Sequence, residues 1–104
     1  MIIVNTDFVT GKEIKETIDL VRGNTIQTKS IGKDIKAGFR HMAGGEIKEY
    51  TEMLAESREI ALKRMEEKAK KMGADAVINV RFMTSGMMGG AAEILAYGTA
   101  VKLK

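Results

Sequence analysis

The 104-residue chain is the size of one domain, 44% apolar and 30% charged, with a net charge of +3 from 17 basic and 14 acidic residues, the composition of an ordinary globular protein. No run of apolar residues is long enough to cross a bilayer, and the basic residues alternate with acidic ones instead of running together, which argues against nucleic acid as a partner. Cysteine is absent, so disulfides, thiolate nucleophiles, zinc ribbons and iron–sulfur ligation are excluded.

The first residues, Met1-Ile2-Ile3-Val4, have no basic leader ahead of a long apolar core, so the expectation is a first strand, not a signal peptide, and a cytoplasmic location. Asn5-Thr6-Asp7 closes that strand with turn-forming residues. In Glu13 to Arg22 the alternation places Ile14, Glu16, Ile18, Leu20 and Arg22 on one face of a second strand. The β-branched Thr17, Ile18 and Val21 favour that strand over a helix, and Gly23-Asn24 is expected to end it. Thr25 to Lys29 keeps the extended character and is placed at a sheet edge.

From Ile31 the period changes. Ile31, Ile35, Phe39 and Met42 recur at helical spacing, predicting a short helix stopped by Gly44-Gly45. A long helix follows from about Glu46 to Met72, with Tyr50, Leu54, Ser57, Ala61, Met65, Ala69 and Met72 along one side. Its small residues allow close approach to a sheet. Glu59–Lys63, Glu66–Lys70 and Glu67–Lys71 are spaced to pair along its solvent side, and Gly73 stands where a left-handed C-terminal cap is wanted. Ala76 to Phe82 is a strand with Ala76, Ile78, Val80 and Phe82 on one face. A glycine-rich connection, Thr84 to Gly90, leads to a last strand from Glu93 to about Leu103. There Leu95, Tyr97, Thr99, Val101 and Leu103 occupy one side and Ile94, Ala96, Gly98 and Ala100 the other.

These elements predict a single α+β domain over residues 1–104, a mostly antiparallel sheet with a short and a long helix on one face. Helices on one side leave the second apolar side of the last strand in need of cover. A second copy of the chain is the simplest source, which makes the protein a homo-oligomer.

Chemistry-bearing residues are sparse. His41 is the sole histidine, so one chain cannot assemble a histidine-based metal site; around a symmetry axis it could contribute to a ring of ligands, and otherwise it is a solvated helix-end residue. Met83, Met87 and Met88 bring three thioethers close together, a soft set suited to Cu(I), although methionine more often serves as an adaptable filler of turns and interfaces, which is the favoured reading. Gly44 and Gly45 precede a helix and could present backbone N–H groups to an anion, while Gly86-Met87-Met88-Gly89-Gly90 lacks the lysine and the following helix of a nucleotide-binding loop. Asp75 joins the long helix to a strand, where its carboxylate is expected to accept turn N–H groups. With Gly44, Gly45 and Tyr50 it forms the candidate ligand-binding set. No catalytic residue and no cofactor is assigned.

Phe39-Arg40, Gly44-Gly45 followed by Tyr50, Arg58-Glu59-Ile60-Ala61, Gly73-Ala74-Asp75-Ala76-Val77 and Gly98-Thr99-Ala100-Val101, in that order and at those spacings, resemble the YbjQ-like family of small bacterial and archaeal proteins. The resemblance covers nearly the whole chain. It implies a dodecin-like subunit assembled into a ring, a homopentamer with sheets at the centre and helices outside, and it brings a heavy-metal-binding label. With no cysteine and a single histidine, a heavy-metal site in this chain would need methionine or carboxylate ligands shared across subunits. The leading expectation is therefore a ring-forming binding or scaffold protein without catalysis. The alternatives are a metal-binding protein using His41, Met83, Met87 and Met88, and a small-ligand binder or enzyme with an intersubunit pocket.

Overall fold

The computed structural model describes residues 1–28 and 48–104. Within them the order is β1 (Ile2–Ile3), β2 (Ile14–Thr28), α1 (Lys48–Lys71), β3 (Ala76–Gly86) and β4 (Ala91–Leu103), with a single 3-10 turn, Met88–Gly90, between the last two strands. The sheet order is β1-β3-β4-β2. β4 pairs antiparallel with both neighbours, and β1 runs parallel to β3, so the sheet is mixed. The short helix expected from Ile31, Ile35, Phe39 and Met42 lies outside the described residues.

One helix covers one face of this sheet. Met53, Ser57, Ala61, Met65 and Ala69 recur every fourth residue and are buried, a narrower stripe than the sequence suggested. Tyr50 is only partly buried and Met72 is exposed, while Met53 joins the stripe. Small residues in this row bring the helix backbone down onto β2 and β4. They pack with Val21, Val77, Val80, Ile94, Ala96 and Ala100 in the main core. At Gly23 the approach is close enough that any side chain would strike helix backbone. The fully buried Ser57 hydroxyl donates to the Met53 carbonyl at 2.7 Å, which satisfies it inside the apolar layer. Of the expected i, i+4 ion pairs, Glu66–Lys70 closes at 3.5 Å.

The helix ends as its sequence indicates. Gly73 takes φ +80, its N–H donates to the Lys70 carbonyl at 3.0 Å, and the Ala74 N–H donates to the Ala69 carbonyl at 3.1 Å. This paired arrangement satisfies the last carbonyls through a left-handed glycine.

Two expectations about the strands are corrected. β2 does not stop at Gly23-Asn24 but continues to Thr28 along the full length of β4, because glycine there makes room for the helix instead of a turn. The facing of β2 and β3 also departs from simple alternation, since both strands carry bulges. Register shifts between Ile14 and Glu16 and between Thr17 and Asp19 each insert one residue. Ile14 consequently packs on the face away from the helix and Ile18 against the main core. In β3 the shift falls between Ile78 and Arg81. Asn79 adopts φ 53 there, a left-handed conformation that asparagine tolerates better than most residues. Its N–H donates to the Thr6 carbonyl at 2.8 Å and that of Val80 to the Val4 carbonyl at 3.0 Å. The bulge therefore puts Val77 and Val80 on the helix side together and turns Arg81 outward. β3 also runs to Gly86, further than expected, so the connection to β4 is correspondingly shorter.

On the outer face a second, smaller cluster joins Ala76, Ile78 and Val101 with Ile2, Val4, Val9, Ile14 and Leu103. The segment after β1 thus covers one end of that face.

Candidate functional site

The outer face divides along its length. At the end where β1 lies, Val4 and Val9 shield the strands. Towards the other end the register aligns Leu20 with Thr99, Arg22 with Tyr97 and Arg81, and Asn24 with Leu95 and Met83. Leu20, Ile26 and Met83 are each more than half exposed, and Leu95 and Tyr97 are half-buried. The sequence expectation of an apolar second side on the last strand describes this surface. Its neighbours β2 and β3 extend it.

The edges are as informative as the face. Among the described residues no strand pairs with the outer edge of β2, and the far side of β3 is occupied only as far as Val80, by β1 and the residues that follow it. Arg81–Gly86 is therefore an open strand edge. A groove of about 300 Å³ runs beside the open edge of β2, lined by Asp19, Leu20, Val21, Arg22, Lys68 and Met72. A larger open cleft, about 580 Å³, is bounded by Ile3 of β1 and by Val4, Thr6, Phe8 and Val9 in the segment after it. Phe8 projects from that loop, 56% exposed.

The predicted site residues do not converge within the described part of one chain. Tyr50 lies in the first turn of α1 and Asp75 beyond its last; the helix from Tyr50 to Lys71, at about 1.5 Å per residue, sets them roughly 30 Å apart. Gly44, Gly45 and His41 lie outside the described residues. Asp75 acts locally: its Oδ2 accepts the Leu103 N–H at 2.9 Å, and its own N–H donates to the Val101 carbonyl at 2.9 Å. Those bonds tie the helix exit to the end of β4. Met83, Met87 and Met88 stand on and beyond the end of β3, all exposed, with Met88 at 97%. The Met87 N–H donates to the Ala91 carbonyl at 2.8 Å and closes the connection. Among the described residues no group of three or more His, Cys, Asp or Glu could hold a metal ion, and no helix is long and apolar enough to span a membrane.

Sequence reasoning missed the groove beside β2. Its walls come from positions 19–22 on a strand, 68 on α1 and 72 just past the helix end, and only the bulges of β2 decide which of the strand residues face it. The one available signal was Met72, an apolar residue at the end of a helix already closed by Gly73.

A family model described as "Putative heavy-metal-binding", YbjQ_1, matches residues 1–104. The chain is 61% identical to a UPF0145 protein of Clostridium novyi over 99% of both chains, and 63% identical to one from Methanosarcina acetivorans over 99% of this chain and 97% of the relative. A UPF0145 protein of Thermotoga maritima is 58% identical over 100% of this chain and 98% of its own. A crystal structure of a protein of unknown function from Pediococcus pentosaceus, of the DUF74 family, superposes with a TM-score of 0.63 at 15% identity. That match covers 100% of this chain and 98% of the other, and it shows a shared fold.

Proposed function

We propose, for a chain that belongs to the YbjQ-like UPF0145 family, that it works by associating with copies of itself as a non-catalytic binding or scaffold module. The observation that carries this reading is the uncovered apolar surface on the sheet face opposite α1, where Leu20, Ile26 and Met83 stand exposed beside Leu95 and Tyr97. Large apolar side chains exposed together on one sheet face, here among Arg22, Arg81 and Asn24, mark association sites. Among the described residues α1 covers only the other face, and a second copy of the chain is the cover this reading assigns. A closed ring suits a chain with two unlike open edges, because head-to-tail contacts generate rings when the rotation closes. Five copies is the number the family resemblance implies.

Light scattering coupled to size-exclusion chromatography tests this directly. The expected mass is a multiple of 11.4 kDa, and a monodisperse species of one chain mass at micromolar concentration would refute the reading.

The exposure of three thioethers at Met83, Met87 and Met88 favours a second reading, soft-metal binding at the end of β3. Calorimetric titration with Cu(I), Ni(II) and Zn(II) separates the two. Saturable micromolar Cu(I) binding that Met87→Ala and Met88→Ala together abolish would establish it, and no saturable binding would leave self-association alone.

A further inference from the structure

The two open edges differ in character, and together they define a contact. β2 and β3 both run antiparallel to β4, so they point the same way. The sheet can be continued from one copy to the next by setting β3 of the first alongside β2 of the second as a parallel pair. On β3 the free stretch is Arg81–Gly86, because β1 and Val4 to Thr6 occupy the edge up to Val80. On β2 the bulge-free stretch begins at Leu20, after the shifts at Ile14/Glu16 and Thr17/Asp19; the Asp19 carboxylate that accepts the Leu20 N–H and the Arg64 guanidinium that donates to the Asn24 carbonyl are side chains that a neighbouring strand would displace. Bulges bend a strand away from its neighbour. They lie where the β1 segment of an adjoining copy would otherwise collide with β2.

Side chains select the register. Level pairing would set Arg81 beside Arg22 of the next copy, two like charges on adjacent strands of one face, which is unfavourable. Displacing the pair by about two residues, roughly 7 Å, keeps every side chain on its own face. Arg81 then lies beside Leu20, Phe82 beside Val21 and Met83 beside Arg22. Phe82 faces the helix side of its own sheet, level with Ala96, yet remains 46% exposed because α1 lies over β2 and β4 instead. In the displaced register it meets the groove of about 300 Å³ formed by Val21, Lys68 and Met72 of the next copy. Closing a sheet on itself requires a stagger of the strand register.

We infer that successive copies join head-to-tail by parallel pairing of Arg81–Gly86 with the edge of β2 from Leu20, with Phe82 of one copy seated in the Val21–Lys68–Met72 groove of the next. This inference rests on the self-association proposed above and assigns its surface. The groove is incomplete without the neighbour's aromatic ring.

The cysteine-free chain makes the test direct. In the double variant Arg22→Cys, Met83→Cys, mild oxidation of the full-length protein gives covalent oligomers on a denaturing gel, while either single variant gives none. Phe82→Ala weakens association about thirtyfold, as loss of a central aromatic anchor does, whereas Phe82→Leu largely retains it, and both keep the far-UV circular dichroism of the parent. If the reduced double variant assembles like the parent but stays single-chain after oxidation, or if Phe82→Ala assembles unchanged, the contact lies elsewhere and this inference fails while self-association stands. Cross-linking by a single variant would mean that like edges meet, and would overturn it equally. A single-chain mass for the unmodified protein would remove both proposals.

Discussion

Gly23→Ala is the substitution that most sharply tests how the helix meets the sheet. An added Cβ would lie 2.5 Å from the Ala61 carbonyl oxygen, 2.8 Å from the Arg64 carbonyl carbon and in hard contact with the Met65 amide nitrogen. Ordinary contact begins near 3.4 Å, so α1 must withdraw by roughly 1 Å along the row from Met53 to Ala69, and no flexible side chain can yield in its place. Overpacking of well-filled cores costs about 1–3 kcal/mol, and backbone against backbone places this case at about 3 kcal/mol. The opposing gain, from restricting the unfolded chain, is only about 0.4–1 kcal/mol. Destabilisation therefore wins by about 2 kcal/mol, a large share of the roughly 5–15 kcal/mol that holds a domain together. The assay is urea unfolding followed by circular dichroism at fixed chain concentration, because the self-association proposed above would make apparent stability concentration-dependent. Gly86→Ala is the control: nothing lies within 4 Å of its added Cβ, so it should be neutral or slightly stabilising. Indistinguishable midpoints for the two variants would refute the close packing of helix on strand.

Asn79→Ala should cost about 1 kcal/mol, since φ 53 is a left-handed conformation that the short polar side chain of asparagine tolerates and alanine does not, while Asn79→Gly should fold as well as the parent or better; equal midpoints for the Ala and Gly variants would remove the bulge argument. Asp75→Ala should lose about 1 kcal/mol by orphaning the Leu103 N–H, and Asp75→Asn, which keeps an acceptor, should lose less, as thermal melts can resolve. Ser57→Ala should lie within about 1 kcal/mol of the parent, because its hydroxyl serves only the Met53 carbonyl one turn earlier in the same helix. Ser57→Leu, which drives a larger chain into a fully buried position, should destabilise by about 1–3 kcal/mol.

The helix and its exit were legible in the sequence because their signals are local. Ser57, Ala61, Met65 and Ala69 repeat at helical spacing, and Gly73 follows the last turn where a left-handed residue is needed. β4 was equally readable: it carries no bulge against its own alternation, so Ala92, Ile94, Ala96 and Ala100 fall on the helix side and are buried. β2 and β3 were misread for one shared physical cause. A bulge changes the parity of every residue beyond it, and nothing in Ile14 to Arg22 or Ala76 to Phe82 announces where the partner strand contributes one residue fewer. Gly23 was misread because a turn and a close backbone approach both call for glycine. The candidate site suffered more, since Tyr50 and Asp75 are adjacent only in an argument about residue types and stand at opposite ends of α1.

The irregular features of the sheet are all gathered at one end. Both bulges of β2, the left-handed Asn79 of β3, the bonds from Asn79 and Val80 to the residues after β1, and the outer cluster around Ile78 and Val101 occupy the half that β1 caps. The other half, Leu20 to Gln27 and Arg81 to Gly86, pairs in unbroken register with β4 and presents regular open edges. Exposed regular edges promote uncontrolled pairing, and soluble proteins commonly blunt them with bulges, charges or a covering segment. Here the bulges and the covering segment protect the β1 half, while on the other half the Asp19 carboxylate accepts the Leu20 N–H and the Arg64 guanidinium donates to the Asn24 carbonyl, beside the exposed Ile26, Phe82 and Met83. A regular strand stretch beside exposed apolar side chains is what the strand-to-strand contact proposed above requires, and both occur together on the uncapped half of the sheet.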